Sequence, residues 1–195
     1  MKEELKMKEN DTRQLLADSL YELAMDRPLD KITVKQISEK AGVTSQTFYN
    51  HFKDKYDLIL SGHKYRVNRL LKELREGKVN WDEFIEIYLS TYEKNSKFIV
   101  NAFKNTCGED SYAANTGRYI CECLEEEVRL RVGREPDKNT KLLIKVYASG
   151  VINIMAYWLT EDTDITKEDM KKALVDALPE KLRELFKSKN YYDSM

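Results

Sequence analysis

Seven glycines and three prolines are few for a chain of 195 residues, so little in it interrupts a helix. No segment reads as a strand, and no internal repeat, low-complexity stretch or flexible linker divides the chain. The three cysteines, Cys107, Cys121 and Cys123, are an odd number, which excludes a fully paired disulfide framework and suits a reducing compartment. With 33 basic and 34 acidic residues the formal charge is -1, so neither a polybasic chain nor an acidic, disordered one is present. No apolar run approaches a membrane span, and the opening "MKEELKMKEND" lacks the apolar core of a secretory signal. A cytoplasmic protein with no membrane partner is expected. There is no Ser, His and Asp set, no carboxylate pair in a glycine-rich loop and no phosphate-binding glycine fingerprint, so neither an enzyme nor a cofactor is expected.

What the chain does have is Leu, Ile, Lys and Glu recurring at helical spacing almost throughout, which predicts an all-α fold. The 42% apolar content is enough to bury a core. A first helix is expected over residues 11–26, with Leu15, Leu16, Ser19, Leu20 and Leu23 inward and Pro28 beyond its end. Thr33 caps a short second helix whose inward positions are Val34, Ile37 and Ala41. Gly42 permits a tight turn, and Thr44 caps a third helix that ends near Phe52. A long fourth helix runs over residues 54–76 on Leu58, Leu70, Leu71 and Leu74. Further helices are expected near 81–95, 97–106, 110–132, 139–160 and 166–187, with Pro179 kinking or restarting the last.

The third helix is the odd one. Phe48 and Phe52 sit four apart as a buried stripe, while Ser45, Gln46, Thr47, Tyr49, Asn50 and His51 crowd its other faces. Helix, glycine turn and short polar helix form the helix-turn-helix arrangement, in which the second helix enters the DNA major groove. Ser45, Gln46, Thr47 and Asn50 can hydrogen-bond to base edges, and Tyr49 and His51 can reach phosphates. From Lys31 to Arg66 seven basic residues face three acidic ones, a local excess of four positive charges in a chain that is otherwise nearly neutral. Lys2, Lys6 and Lys8 are candidates for a loose arm that adds phosphate attraction.

The stretch "ITVKQISEKAGVTSQTFYNHFKDKYDLIL", residues 32–60, resembles the DNA-binding segment of TetR/AcrR transcriptional regulators, through Thr33, Ala41, Gly42, Val43, Tyr49, Phe52 and Lys55. Lys53 stands where proline is common and Tyr56 where glutamate is common. The resemblance implies that Thr44 to His51 form the recognition helix, that Thr33 caps the bracing helix, and that Tyr49 and Lys55 hold DNA phosphates. It implies a DNA-binding domain over residues 1–53, an effector-binding and dimerisation domain over 54–195, a homodimer on a near-palindromic double-stranded operator, and an unknown small-molecule effector. The habit of the family favours repression. The segment "VYASGVINIMAYWLTEDTDITKEDMKKAL" is similar to the last two helices of such regulators, and to the C-terminal domain of those related to the dihydroxyacetone kinase regulator. That similarity makes Val146, Gly150, Val151, Ile154, Met155, Trp158, Met170, Leu174 and Leu178 candidates for the dimer interface.

Tyr88, Tyr92, Phe98, Phe103, Tyr112, Tyr119 and Tyr147 have apolar bodies with polar tips, which suits a ligand cavity and equally suits a helical core. The "CEC" at 121 and 123 suggests metal or thiol chemistry, but an i, i+2 pair on a helix diverges by about 200° and a closed zinc site needs about four converging ligands. No metal is expected. His63, in the long helix near the domain junction, is either a packing residue or a switch. Two rival readings stay open: a protein-interaction adaptor or nonspecific DNA binder of this fold, and a thiol- or metal-responsive regulator.

Overall fold

The structure, a computed structural model, describes residues 2–187, with side chains from residue 11 to residue 186. Among these residues there are ten α-helices and no strand. In chain order they are α1 (Lys2–Ala24), α2 (Val34–Lys40), α3 (Ser45–His51), α4 (Lys55–Arg75), α5 (Trp81–Lys94), α6 (Ser96–Lys104), α7 (Tyr112–Val132), α8 (Lys138–Thr160), α9 (Lys167–Asp176) and α10 (Glu180–Lys187). A single 3-10 turn, Leu29–Lys31, lies between α1 and α2.

Helices α1 to α3 close around Leu16, Leu20, Ile37, Phe48 and Phe52, all buried. Each is too short or too polar to stand alone, so this shared apolar cluster is what holds them. Leu15, expected on the inner face of α1, is instead half exposed, because Leu16 and Leu20 already fill the stripe four residues apart. α1 ends at Ala24, one turn before Pro28, and begins at Lys2, upstream of the expected start. The side chains of Lys2, Lys6 and Lys8 lie outside the described residues.

α4 buries Leu58, His63, Val67, Leu70, Leu71 and Leu74 along one face and links the small three-helix unit to the rest. α7 and α8 pack against each other, α6 packs on α8, and α9 packs on α5. Pro179 separates α9 from α10, as its missing N–H and fixed φ require.

α8 departs from one expectation. It is long and apolar enough to cross a membrane by length and composition. Ile144, Ala148 and Met155 are nevertheless fully buried against neighbouring helices, so part of that apolarity is core.

Candidate nucleic-acid interface and sensor core

The local geometry of α2 and α3 follows from their caps. Thr33 Oγ1 accepts the Gln36 N–H at 3.2 Å while Gln36 Oε1 accepts the Thr33 N–H at 2.9 Å, a closed capping box. At the other end of α2 the Val43 N–H reaches Ser38 O at 3.0 Å and the Gly42 N–H reaches Glu39 O at 3.2 Å. That pair of hydrogen bonds needs a left-handed residue, and Gly42 sits at φ 70°. The chain then reverses into Thr44, whose Oγ1 accepts the Thr47 N–H at 3.1 Å and starts α3.

α3 is pinned from behind by Phe48, which has no exposed surface, and by Phe52. Gln46, Tyr49 and Asn50 therefore face solvent, with Ser45, Thr47 and His51 half exposed beside them. Gln46 Nε2 donates to Asn50 Oδ1 at 3.1 Å, so the two amides are aligned one turn apart on the outer face. Arg13 of α1 holds the far end: its guanidinium donates to the His51 carbonyl at 3.1 Å and lies 4.3 Å from the centre of the Phe52 ring. Sequence reasoning missed Arg13, since nothing in its neighbourhood marks which arginine of α1 reaches 38 residues onward.

The structure changes the task of Lys55. Its ammonium donates to the carbonyls of Leu29 at 2.7 Å, Asp30 at 3.0 Å and Ile32 at 2.7 Å. An ammonium has three N–H donors, so all three are engaged and none is left for a phosphate. Partial burial also pulls its pKa below the ordinary lysine value. Lys55 thus ties the start of α4 to the turn before α2. Other lysines of the basic stretch are paired on the surface: Lys31 with Asp30 at 2.9 Å, Lys35 with Glu39 at 3.8 Å and Lys40 with Glu22 at 2.6 Å. Exposed pairs of this kind are worth at most about 1 kcal/mol, so a phosphate can replace the carboxylate.

A second grip on the same turn comes from α6. Asn101 Nδ2 donates to the carbonyls of Ala24 at 2.8 Å and Arg27 at 2.7 Å, and Asn101 Oδ1 accepts the Leu29 N–H at 2.9 Å. Residues 24–32 are thereby held between Lys55 and Asn101. The only hint of this in the sequence is an amide inside the apolar run "FIVNAF".

Inside the larger helical unit His63 is buried, with four tyrosine rings, Tyr88, Tyr92, Tyr112 and Tyr119, set edge-on around it at 5.9–6.4 Å. Tyr92 Oη lies 3.2 Å from His63 Nδ1, and Tyr88 donates to Tyr92 at 2.9 Å. Burial, with Arg66 and Lys64 adding to it, lowers the His63 pKa to about 3, so the ring is neutral. Its Nε2 is buried without a hydrogen-bond partner. Phe103 packs edge-on against Tyr112 at 5.1 Å, and Tyr147 donates to the Leu174 carbonyl at 2.8 Å. Tyr88 and Tyr147 also border a cavity of about 50 Å³ with Trp81, Phe84, Cys123 and Leu174.

The candidate dimer residues divide. Val151, Met155, Met170, Leu174 and Leu178 are buried within the chain: Val151 and Met155 lie on α8, which packs against α7 and α6, and Met170 and Leu174 lie on α9, which packs on α5. Their side chains expose little surface in the single chain. Val146 is 73% exposed, Gly150 is exposed with open space above its Cα, and Ile154 and Trp158 are half-buried. Leu142 and Tyr157, not singled out from the sequence, are exposed on the same stripe. Among the described residues no His, Cys, Asp or Glu cluster gathers as metal ligands do. Burial raises the Cys121 pKa and pushes that of Cys123 up to about 11.

A capped bracing helix, a left-handed glycine turn and an outward polar helix, mounted on a larger helical bundle, define a helix-turn-helix DNA-binding regulator. The family model described as "Bacterial regulatory proteins, tetR family" matches residues 16–61, and that described as "Transcriptional regulator C-terminal region" matches residues 79–179. The chain belongs to the TetR family of bacterial transcriptional regulators. A solved structure titled "Dihydroxyacetone kinase operon activator DhaS" shares the fold, with a TM-score of 0.56 and 16% identity, over 89% of this chain and 97% of that one. No curated protein matches the chain.

Proposed function

We propose that this regulator is a ligand-responsive, cytoplasmic repressor that binds a near-palindromic operator as a homodimer. The observation that carries the reading is α3, whose apolar side is sealed by Phe48 while the aligned amides of Gln46 and Asn50 face outward. Ser45, Gln46, Thr47 and Asn50 read base edges, and Thr33, Tyr49 and His51 contact the sugar-phosphate backbone. Lys55 serves this interface indirectly, by fixing the turn that positions α2. Residues 1–53 form the reading head and 54–195 the sensor and dimer part. The stripe Leu142, Val146, Gly150 and Tyr157 on α8 supports pairing with a second copy. A two-fold dimer then sets its recognition helices about 34–36 Å apart, one turn of DNA.

The sensor core supports an effector with an apolar body and a polar atom, since the unpartnered His63 Nε2 lies among aromatic rings. The cavity of about 50 Å³ is far smaller than an ordinary ligand site of roughly 300–1,000 Å³. An effector therefore enters only by moving helices apart. α4 carries His63 and, at its start, Lys55, so its displacement shifts the reading head. A coupling of about 1–3 kcal/mol changes DNA affinity roughly 5- to 150-fold. The raised pKa values of Cys121 and Cys123 disfavour thiol sensing at those two positions. Repression is the sign that family habit implies, whereas the DhaS neighbour is an activator by its title. A reporter driven by the selected operator, with and without the protein, decides the sign.

The test of DNA reading is selection of random duplex DNA on the purified protein. A near-palindrome should be enriched. Tyr49→Ala should weaken all sequences alike and reduce the salt dependence, and Gln46→Ala should relax base choice at one position in each half-site. No enrichment by an intact dimer would favour the adaptor or nonspecific reading.

A further inference from the structure

Between the reading head and the sensor core lies a cleft of about 500 Å³, separate from the inner cavity. Its size is that of an ordinary small-molecule site. α1 contributes Arg13, Asp18 and Tyr21, α4 contributes Tyr65 and Arg66, and α6 contributes Phe98. Tyr21 and Phe98 are stacked with ring centroids 5.3 Å apart, and Tyr65 leaves 70% of its surface exposed. The cleft therefore offers a continuous aromatic surface.

Its charge is unbalanced. Asp18 is the one carboxylate among the lining residues, and it already accepts a hydrogen bond from Gln14 Nε2 at 2.8 Å. Against it stand two guanidiniums. Arg66 folds back over Gly62, where a Cβ would lie 3.6 Å from its Nη1, and among the described residues no carboxylate pairs with it. Arg13 is the residue that holds the His51 carbonyl at the end of the recognition helix.

We propose that this cleft is a second binding site, for a small amphipathic anion: a carboxylate or sulfonate carried on a flat apolar body. Arg66 takes the anionic group and the Tyr21, Phe98 and Tyr65 rings take the body, an arrangement that pairs a half-buried charge with a planar partner. The anion also competes with the His51 carbonyl for Arg13. Occupancy is thereby linked to the seating of α3, and the regulator has an input that does not pass through the inner core.

The probe is 1-anilinonaphthalene-8-sulfonate, titrated by fluorescence into the purified protein, with N-phenyl-1-naphthylamine as its uncharged counterpart. The two share a body and differ in the anion. Arg66→Ala should weaken the sulfonate roughly tenfold, the size of one charge-assisted hydrogen bond, and leave the uncharged probe unmoved. Arg66→Lys should retain most of the affinity, and Asp18→Asn should raise it by removing the competing charge. Thermal midpoints confirm that each variant is folded; if Arg66→Ala is not, Arg66→Gln and Asp18→Asn carry the test. Equal sulfonate affinity in wild type and the folded Arg66 variant overturns the proposal, as does parallel loss of both probes, which marks a general apolar surface. No DNA enters the titration, so its failure is distinct from failure of the operator reading.

Discussion

Lys55 shows how a side chain of the expected type can have an unexpected task. Lysine at this position of the motif suits a phosphate, but its three donors meet three carbonyls of residues 29–32. Lys55→Ala should leave those carbonyls short of partners and cost roughly 1–3 kcal/mol of stability. Chemical denaturation measures this. The slope of DNA affinity against salt should stay unchanged, and a slope reduced by about one unit would return Lys55 to the phosphate role. His63 makes a pH prediction. Its pKa is about 3 in the folded chain and 6.5 in its ordinary state, so as pH falls the unfolded chain takes up the proton first. Stability is complete above about pH 6.5, falls by about 1.4 kcal/mol per unit below it, and levels off near pH 3. Between neutral pH and pH 5 the loss is about 2 kcal/mol. Denaturation midpoints of wild type and His63→Gln at both pH values should show the variant lacking that part of the acid sensitivity. Equal slopes would mean that other groups dominate.

At the scale of elements, the helices of the reading head were legible because each is defined locally. Thr33 and Thr44 precede their helices, Gly42 follows one, and all three act within a few residues. The attachment of that head to the core is not local. Asn101 reaches 72 to 77 residues back to hold Leu29, Arg27 and Ala24. Asn101→Ala should leave the fold of each unit intact and uncouple them. Hydrogen exchange should show faster exchange in residues 24–32, the Leu29 amide above all, with protection of α7 and α8 unchanged. Unaltered protection at Leu29 would show that Lys55 alone suffices to hold the turn.

At the scale of the whole molecule, the α8 stripe is the surface on which the proposed dimer rests. Leu142, Val146 and Tyr157 leave apolar surface exposed in one protomer, and such a stripe on a helix of this length suits isologous pairing. In the proposed dimer Val146→Glu would set two like charges against each other across the α8 stripe. Analytical ultracentrifugation should then find a folded monomer, and operator affinity should fall because only one recognition helix docks at a time. A dimer that survives Val146→Glu would place the interface elsewhere.

Helix-turn-helix, all-α architecture and the outward side chains of α3 were determined by the sequence alone, because caps, a left-handed glycine and a stripe of period 3.6 are short-range signals. Which aromatics surround His63, which lysine is consumed by backbone carbonyls, and which face of α8 remains free were decided only by tertiary structure. Met155 and Val146 are both apolar residues of one helix, nine positions apart, yet one is buried and the other 73% exposed. The difference is set by where the neighbouring helices lie, and their placement depends on contacts between residues far apart in the chain, whose pairing no local pattern encodes.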